Sequence, residues 1–338
     1  MKNTLLFFLS AALLGIFVFT VNAEEPRPSL KQLIKESKSF GPPGSGLSFD
    51  PFAVRKHFYG DEAAFRREVA ALLETKEDDW EALTIILFLD IGDKTISKIL
   101  RDKFASSDLW RQDEICNILS RNPSKENLDF LIGVLKQSEE LRVHVGYYLS
   151  YFQKEYFEGF DAELKNSILN AFISCLDDEI ETTERFGHTC KVGDKIAFFL
   201  GYFGSFAKPA LPKVKEKFIS AQDEDYYSAI TKLRLAWSIV RIAPEQCDGE
   251  LEYILKIAME DKDKDLRWQA ISHLDTIPLV LSERVIPCLC KIIQKETSLS
   301  NKIWAADAVK AILSEQERHA DPLSEEYGEE EDEDAKIK

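Results

Sequence analysis

From position 61 onward, apolar residues recur with the spacing of one buried helical face. Phe65, Val69, Leu72 and Leu73 stand at i, i+4, i+7 and i+8, which is the pattern of an amphipathic helix. Further stretches of this kind follow, each about 11 to 15 residues long, with breaks of only a few residues. This rhythm is typical of helices that pack antiparallel to their neighbours. The pattern therefore predicts an all-α fold.

Aspartates mark several of the predicted helix starts. Asp61 and Asp93 each directly precede an apolar periodic stretch, where a short acidic side chain can accept backbone N–H groups as an N-cap. Asp50 is followed by Pro51, and proline is favoured at the first helical position. The sequence therefore also predicts a helix that begins at Pro51.

The helical segments repeat along the chain, which is the signature of stacked supersecondary units. Six segments carry an apolar or small residue four positions before another apolar one: Ile115/Leu119, Val145/Leu149, Ile196/Leu200, Ala236/Val240, Ala270/Leu274 and Ala305/Val309. The second members are 30, 51, 40, 34 and 35 residues apart, and the interval of 51 fits a repeat with an insertion at about 179–192. Second helices are predicted after the first five, at about 124–137, 161–176, 208–220, 248–260 and 282–294.

One stretch resembles a HEAT repeat. Residues 193–204 read GDKIAFFLGYFG and residues 209–214 read PALPKV, with a small-residue-rich first helix, a Leu-Gly ending and a second helix near a Leu-Pro. Residues 266–292 are the next best match, and the resemblance covers residues 61–316. It implies a right-handed α-α superhelix, a solenoid of HEAT-like helix pairs whose second helices line a concave surface. For function it implies a tendency to bind macromolecules.

The N-terminal segment 1–23 has the pattern of a secretory signal peptide. Lys2 precedes an apolar run from Leu5 to Val21, and Val21-Asn22-Ala23 has small residues at a cleavage position. We therefore expect export to a periplasmic, secreted or lumenal location after cleavage near Ala23. The alternative is a retained anchor, in which case the chain contacts the membrane.

The remaining domain boundaries follow composition. Residues 24–60 are predicted to be a leader with short helices and a GPPGSG linker at 41–46, and residues 61–316 the solenoid. Residues 317–338 are predicted to be an acidic, disordered tail, because residues 325–338 hold eight acids against two lysines.

The net charge and the lack of catalytic motifs limit the classes of function that the sequence supports. The net charge of −16 argues against nucleic acid as a partner, because phosphate contacts need clustered Lys and Arg. The chain has no Walker loop, GxGxxG, HExxH or GxSxG motif, and no cofactor or catalytic residue is predicted. The sequence favours a scaffold that binds a protein partner. The alternatives are an enzyme or enzyme accessory of the lyase type, and a membrane-tethered scaffold.

Two groups of residues are candidate sites. Cys175 and Cys190 flank the predicted insertion, so a disulfide between them would close that loop; the alternative is two partly buried thiols. His188 lies two positions before Cys190, a spacing unlike that of a structural zinc site, and no metal site is predicted. The other group is a run of aromatic residues that either binds a partner or packs between repeats. Its candidate partner-binding residues are Tyr147, Tyr148, Tyr151 and Tyr156.

Overall fold

Helices make up 79% of the computed structural model, which describes residues 28–37, 49–75, 79–151, 157–183 and 189–320. The all-α prediction is confirmed for these residues. The chain divides into two compact units, unit 1 and unit 2, with the boundary between Asn122 and Pro123. The predicted signal segment and the acidic residues 325–338 lie outside the described residues. Among the described helices, none combines the length and the apolar character needed to cross a bilayer.

Unit 1 contains the first helices of the chain. They are Leu30–Ser37 (α1), Pro51–Lys56 (α2), Glu62–Glu74 (α3), Asp79–Leu89 (α4), Lys94–Phe104 (α5) and Leu109–Ser120 (α6). The predicted N-caps are confirmed, since Asp50, Asp61 and Asp93 each accept backbone N–H groups from the first turn of the following helix. The predicted apolar face of α3 is buried as well. Local sequence therefore sets where these helices begin and which side they bury.

The described part of segment 24–60 packs into unit 1. Leu30 is 1% exposed, and its backbone N–H donates to Glu68 Oε2 at 2.6 Å. Phe58 packs against Phe65 with ring centroids 5.0 Å apart. The short helices α1 and α2 therefore contribute apolar side chains to the core of this unit, where the sequence had predicted a leader.

Unit 2 continues with ten further helices among the described residues. They are Lys125–Gln137 (α7), Arg142–Tyr151 (α8), Ala162–Ser174 (α9), Val192–Leu200 (α10), Leu211–Ser220 (α11), Tyr226–Ile242 (α12), Asp248–Glu260 (α13), Lys264–Leu274 (α14), Ser282–Lys295 (α15) and Leu299–Ala320 (α16). Each predicted second helix is confirmed, with bounds within three residues of those expected. The 3₁₀ segment Gly201–Ala210 lies between α10 and α11.

Alternate helices of unit 2 form a continuous row. The first helices of the pairs are α8, α10, α12, α14 and α16, and each contacts the next one in this series. Gly201, at the end of α10, allows the closest of these approaches, because a Cβ there would lie 2.9 Å from the Cα of Ser238 on α12. Ser238 itself donates to the carbonyl oxygen of Phe198 at 3.0 Å. The backbones of α10 and α12 therefore lie in close contact at this point.

An arginine at the start of α8 ties three segments together. Arg142 donates from Nε to Leu135 O at 3.0 Å and from Nη2 to Lys136 O at 3.1 Å, so it satisfies carbonyls at the end of α7. The same guanidinium pairs with Asp178, which follows α9, and the two side chains are 12% and 9% exposed. One side chain thus joins a first helix to the second helices before and after it.

Arg267 repeats this arrangement near the start of α14. Its Nη1 donates to Asp261 O at 2.8 Å, just beyond the end of α13. Its Nε and Nη2 donate to the two carboxylate oxygens of Glu296, which follows α15, at 2.6 and 2.8 Å. Arg142 and Arg267 therefore hold equivalent places in two separate helix pairs, and the repeat is visible in contacts as well as in apolar spacing.

The predicted insertion forms a β-hairpin. Strands Glu181–Thr183 (β1) and Thr189–Lys191 (β2) pair antiparallel, with Thr182 opposite Cys190. β2 leads directly into α10, and the N–H of Gly193 donates to Asp178 O at 2.9 Å. Residues 184–188 of this segment, including His188, lie outside the described residues.

Candidate functional site

A cluster of basic and aromatic side chains crosses three consecutive first helices of unit 2. We call this largely buried cluster the cationic–aromatic face, and it consists of Lys195, Phe198 and Tyr202 in and just after α10, Arg234, Trp237 and Arg241 on α12, and His273 on α14. Within the first two groups the members are three or four positions apart, which places them on one side of their helix. Because α10 packs on α12 and α12 packs on α14, the three groups adjoin.

Trp237 forms the centre of the face. Its side chain is 2% exposed, and its ring lies 5.1 Å from both the Phe198 and the Tyr202 rings and 5.4 Å from the His273 ring. The indole Nε1 donates to Thr276 Oγ1 at 3.0 Å. Aromatic rings at these distances pack favourably, so Trp237 is a rigid base for the charged groups around it.

Arg241 joins the ends of three first helices. Its Nε donates to Gly201 O at 2.9 Å, and its Nη1 donates to Thr276 O just after α14. The guanidinium also lies over the Trp237 ring, 5.3 Å from the centroid, a cation–π geometry. These contacts fix the register of α10, α12 and α14 at this end of the face.

Arg234 supplies positive charge further along the same helices, and Lys195 lies near it. The Arg234 guanidinium lies 5.5 Å from the Phe198 ring centroid. Lys195 is 9% exposed. Burial lowers the pKa of Lys195 to about 6, and the charge of Arg234 lowers it in the same direction. An anion that binds here would favour protonated Lys195, so binding of an anion should take up protons.

Two buried polar atoms near Arg241 and Trp237 have no hydrogen-bond partner among the described residues. They are Nε2 of His273 and Oδ1 of Asp275. The His273 side chain keeps a small exposed fraction, but its Nε2 is covered. Nearly all such atoms in folded proteins are paired, so each one calls for an explanation.

Burial of His273 has a consequence for stability that can be measured. Burial lowers the pKa of His273 to about 3, with a further contribution from Arg234, whereas the unfolded pKa is about 6.5. The unfolded chain therefore binds more protons below pH 6.5, and the free energy of unfolding should fall with decreasing pH by up to about 1.4 kcal/mol per unit. Urea unfolding between pH 6.5 and 5 should show this slope for the native chain.

The variant His273→Gln should have a clearly reduced slope over the same pH range, since it removes one of the groups that bind more protons in the unfolded chain; Lys195 contributes in the upper part of the range. His57→Gln, at an exposed histidine of unit 1, is the matched control and should keep the native slope. A native slope in His273→Gln would show that other groups cause the pH dependence.

A groove opens beside Arg234. It has a volume of about 820 Å³, and its lining includes Cys190 from the hairpin, Tyr226 from the start of α12, and Asp194 and Lys217. Lys217 pairs with Asp194 at 3.0 Å. Cys190 and Tyr226 are close enough to Arg234 to influence its pKa, which burial lowers. None of the seven residues of the cationic–aromatic face lines this groove, whose wall includes the hairpin and the first turns of α12.

Of the four tyrosines predicted to bind a partner, Tyr147 and Tyr148 have side chains in the described part of the chain. Tyr147 is 39% exposed, and its ring lies 5.9 Å from Tyr148 and 6.1 Å from Phe199. Tyr151 ends α8, with its side chain outside the described set, and Tyr156 lies outside the described residues. The contact with Phe199 shows that Tyr147 packs onto α10. A partner-binding role for this group stays a prediction.

Cys175 and Cys190 are both buried and both free thiols in the structure. The Cys175 thiol donates to Leu135 O at 3.7 Å, while Cys190 lines the groove beside Arg234. Burial raises the pKa of Cys190 to about 11, so its reactive thiolate form is disfavoured. The two thiols have different neighbours, and the disulfide between them stays a prediction.

The cationic–aromatic face is not apparent from any local motif of the sequence. Lys195, Arg234 and His273 are spaced by 39 residues, as are Phe198, Trp237 and Thr276. Residues at this interval are brought together by packing of consecutive first helices. A comparison of positions 39 residues apart would have detected the cluster, whereas a search for local motifs could not. The resemblance to HEAT repeats instead predicts a binding surface lined by the second helices.

Comparison of the chain with protein-family models and with curated proteins finds no match. Within the described ranges, no group of three or more His, Cys, Asp or Glu side chains is placed to hold a metal ion.

Proposed function

We propose that this chain is an exported HEAT-like α-solenoid that binds an acidic segment of a protein partner on the cationic–aromatic face. The observation that carries this proposal is the placement of the Arg234 and Arg241 guanidinium groups over the Phe198 and Trp237 rings, in a chain whose net charge is −16. The equivalent contacts of Arg142 and Arg267 support the repeat architecture. Export is supported by the sequence of residues 1–23.

The chemistry of the face favours an acidic peptide as the ligand. Carboxylates form charge-assisted hydrogen bonds with guanidinium and ammonium groups. Phe198 and Tyr202 flank the cationic groups and offer apolar contact to the partner's backbone and side chains. Trp, Tyr and Arg are enriched among the residues that dominate the binding energy of protein interfaces.

The test is the binding of a fluorescent oligo-glutamate peptide to the full chain, measured by anisotropy. Arg234→Gln should weaken binding about tenfold or more, because the loss of one partly buried charge contact costs over 1.4 kcal/mol. Arg284→Gln is the matched control: Arg284 is 36% exposed, lies on α15 and pairs with Asp248 and Glu252. This control should bind within about twofold of the native chain.

Two further measurements make the outcome decisive. Arg234→Lys keeps the charge and should bind more tightly than Arg234→Gln, and circular dichroism should show that both variants fold. Equal affinity of Arg234→Gln and the native chain would contradict the proposal. Tighter binding of a polynucleotide than of the acidic peptide would also contradict it, because the face would then be a phosphate-binding surface.

A further inference from the structure

The last helix ends beside the cationic–aromatic face. Near its start, Asn301 Nδ2 donates to Lys264 O at the start of α14, at 3.1 Å, so α16 and α14 begin side by side. Near its end, Gln316 donates to Ser282 Oγ at 2.7 Å, at the start of α15. α16 therefore extends past the end of α14, where Thr276 accepts hydrogen bonds from residues of the face.

Electrostatics place the same part of α16 near Arg241. Burial lowers the pKa of Arg241, and Tyr202, Glu315 and Asp275 act against that shift. Glu315 precedes the end of α16 by five residues, which is about 7 Å along a helix axis. The chain thus leaves the described residues at Ala320 close to one end of the face.

The segment beyond Ala320 has the charge that the face would attract. Residues 325–338 hold eight acids against Lys336 and Lys338, and Glu329–Asp334 is an unbroken run of acids. A path from the end of α16 to Arg234 crosses two interhelical distances, from α16 to α14 and from α14 to α12. It then follows α12 for two turns, from Arg241 back to Arg234, and measures roughly 30 Å in all. About nine extended residues cover that distance, so the acidic run begins at the length needed to reach Arg234.

We propose that the acidic tail, residues 321–338, binds the cationic–aromatic face of its own chain and competes there with the acidic partner. This inference rests on the proposed function, since it assigns a second, intramolecular ligand to the same site. A tethered segment has an effective concentration in the millimolar range. Even a weakly bound tail would therefore reduce the apparent affinity for an external peptide severalfold.

Removal of residues 321–338 should raise the affinity for the oligo-glutamate peptide by at least about threefold at physiological ionic strength, where exposed charges are screened beyond about 8 Å. A full-length variant with glutamine at positions 329–334 should show the same gain while keeping the length of the tail. The control is Glu216→Gln/Glu260→Gln/Glu283→Gln, which removes exposed negative charge from the second helices α11, α13 and α15. It should leave the affinity within about twofold of the native value.

A second readout locates the tail directly. Carbodiimide cross-linking joins carboxylates to amines, and peptide mapping of the full chain should recover a link between a tail carboxylate and Lys195. Links only to lysines of the second helices would overturn the proposal, as would an equal gain in the control variant.

The possible outcomes separate the two proposals. If truncated and full chains bind the peptide equally, the tail does not occupy the face, but the proposed function stands. If neither chain binds the peptide, the proposed function itself is wrong, and the tail proposal fails with it.

Discussion

Replacement of Glu296 by alanine is expected to lower the free energy of unfolding by about 3–5 kcal/mol, because it leaves a buried arginine without its counter-charge. Glu296 is 5% exposed and Arg267 is 14% exposed. Both carboxylate oxygens bind the guanidinium, at 2.6 and 2.8 Å. The same carboxylate accepts the N–H groups of Thr297 and Ser298 at 2.7 and 2.9 Å, so the substitution also removes hydrogen bonds from the turn that begins α16.

A matched control is the exposed ion pair between Arg284 and Glu252. It has a comparable donor–acceptor distance of 2.9 Å, but Glu252 is 68% exposed. Glu252→Gln should therefore change the unfolding free energy by no more than about 1 kcal/mol. Denaturant unfolding of the two variants measures both values. Similar small losses for the two would show that Arg267 and Glu296 do not form a buried structural pair.

The decrease in the free energy of unfolding at acid pH gives an independent check on the Arg267–Glu296 pair. The Arg267 side chain and the backbone N–H groups hold the pKa of Glu296 well below its usual range, although burial opposes this shift. The pair's contribution is therefore complete above the unfolded pKa of about 4.3 and is lost as the pH falls through the lower folded value. Glu296→Ala should lose less stability on acidification below about pH 4 than the native chain does.

Gly201→Ala is the second large effect, and we expect a loss of about 2–3 kcal/mol from overpacking. A Cβ at this position would lie 2.6 Å from Cζ3 of Trp237 and 2.9 Å from the Cα of Ser238. The Trp237 ring is fixed by aromatic contacts and by its hydrogen bond to Thr276, so it cannot easily move aside. The new methyl group would therefore push α10 away from α12.

Gly133→Ala is the matched control for this substitution. Gly133 lies in the middle of α7, and no atom lies within 4 Å of the place of an added Cβ. Alanine has the higher helix propensity, so this variant should be more stable than the native chain by about 0.5–1 kcal/mol. A stability gain in Gly201→Ala as well would contradict the close approach of α10 and α12.

These contacts show which parts of the molecule the sequence could predict. Phe65, Val69 and Leu73 fall on one face because helical spacing is a local property, and Asp61 caps the helix through its own neighbours. The role of α1 was not predictable in this way. Leu30 is buried through contacts with a helix that begins more than thirty residues later, and the glycine- and proline-rich segment between them resembles a linker.

The cationic–aromatic face could not be predicted from the sequence for the same physical reason. Lys195, Arg234 and His273 come from three helices, and their proximity depends on the register of α10, α12 and α14. That register is set by tertiary contacts, including those of Gly201 and Arg241. Apolar periodicity identifies each helix but does not show which polar side chains of neighbouring helices will meet.

Photo-cross-linking tests the central claim most directly, namely that the first helices of unit 2 bind the acidic ligand. An oligo-glutamate peptide that carries a benzophenone group would be bound to the full chain, irradiated and mapped by mass spectrometry. We predict adducts in α10, α12 and α14, at 192–200, 226–242 and 264–274. Adducts confined to the second helices at 211–220, 248–260 and 282–295, or the absence of adducts, would contradict the account.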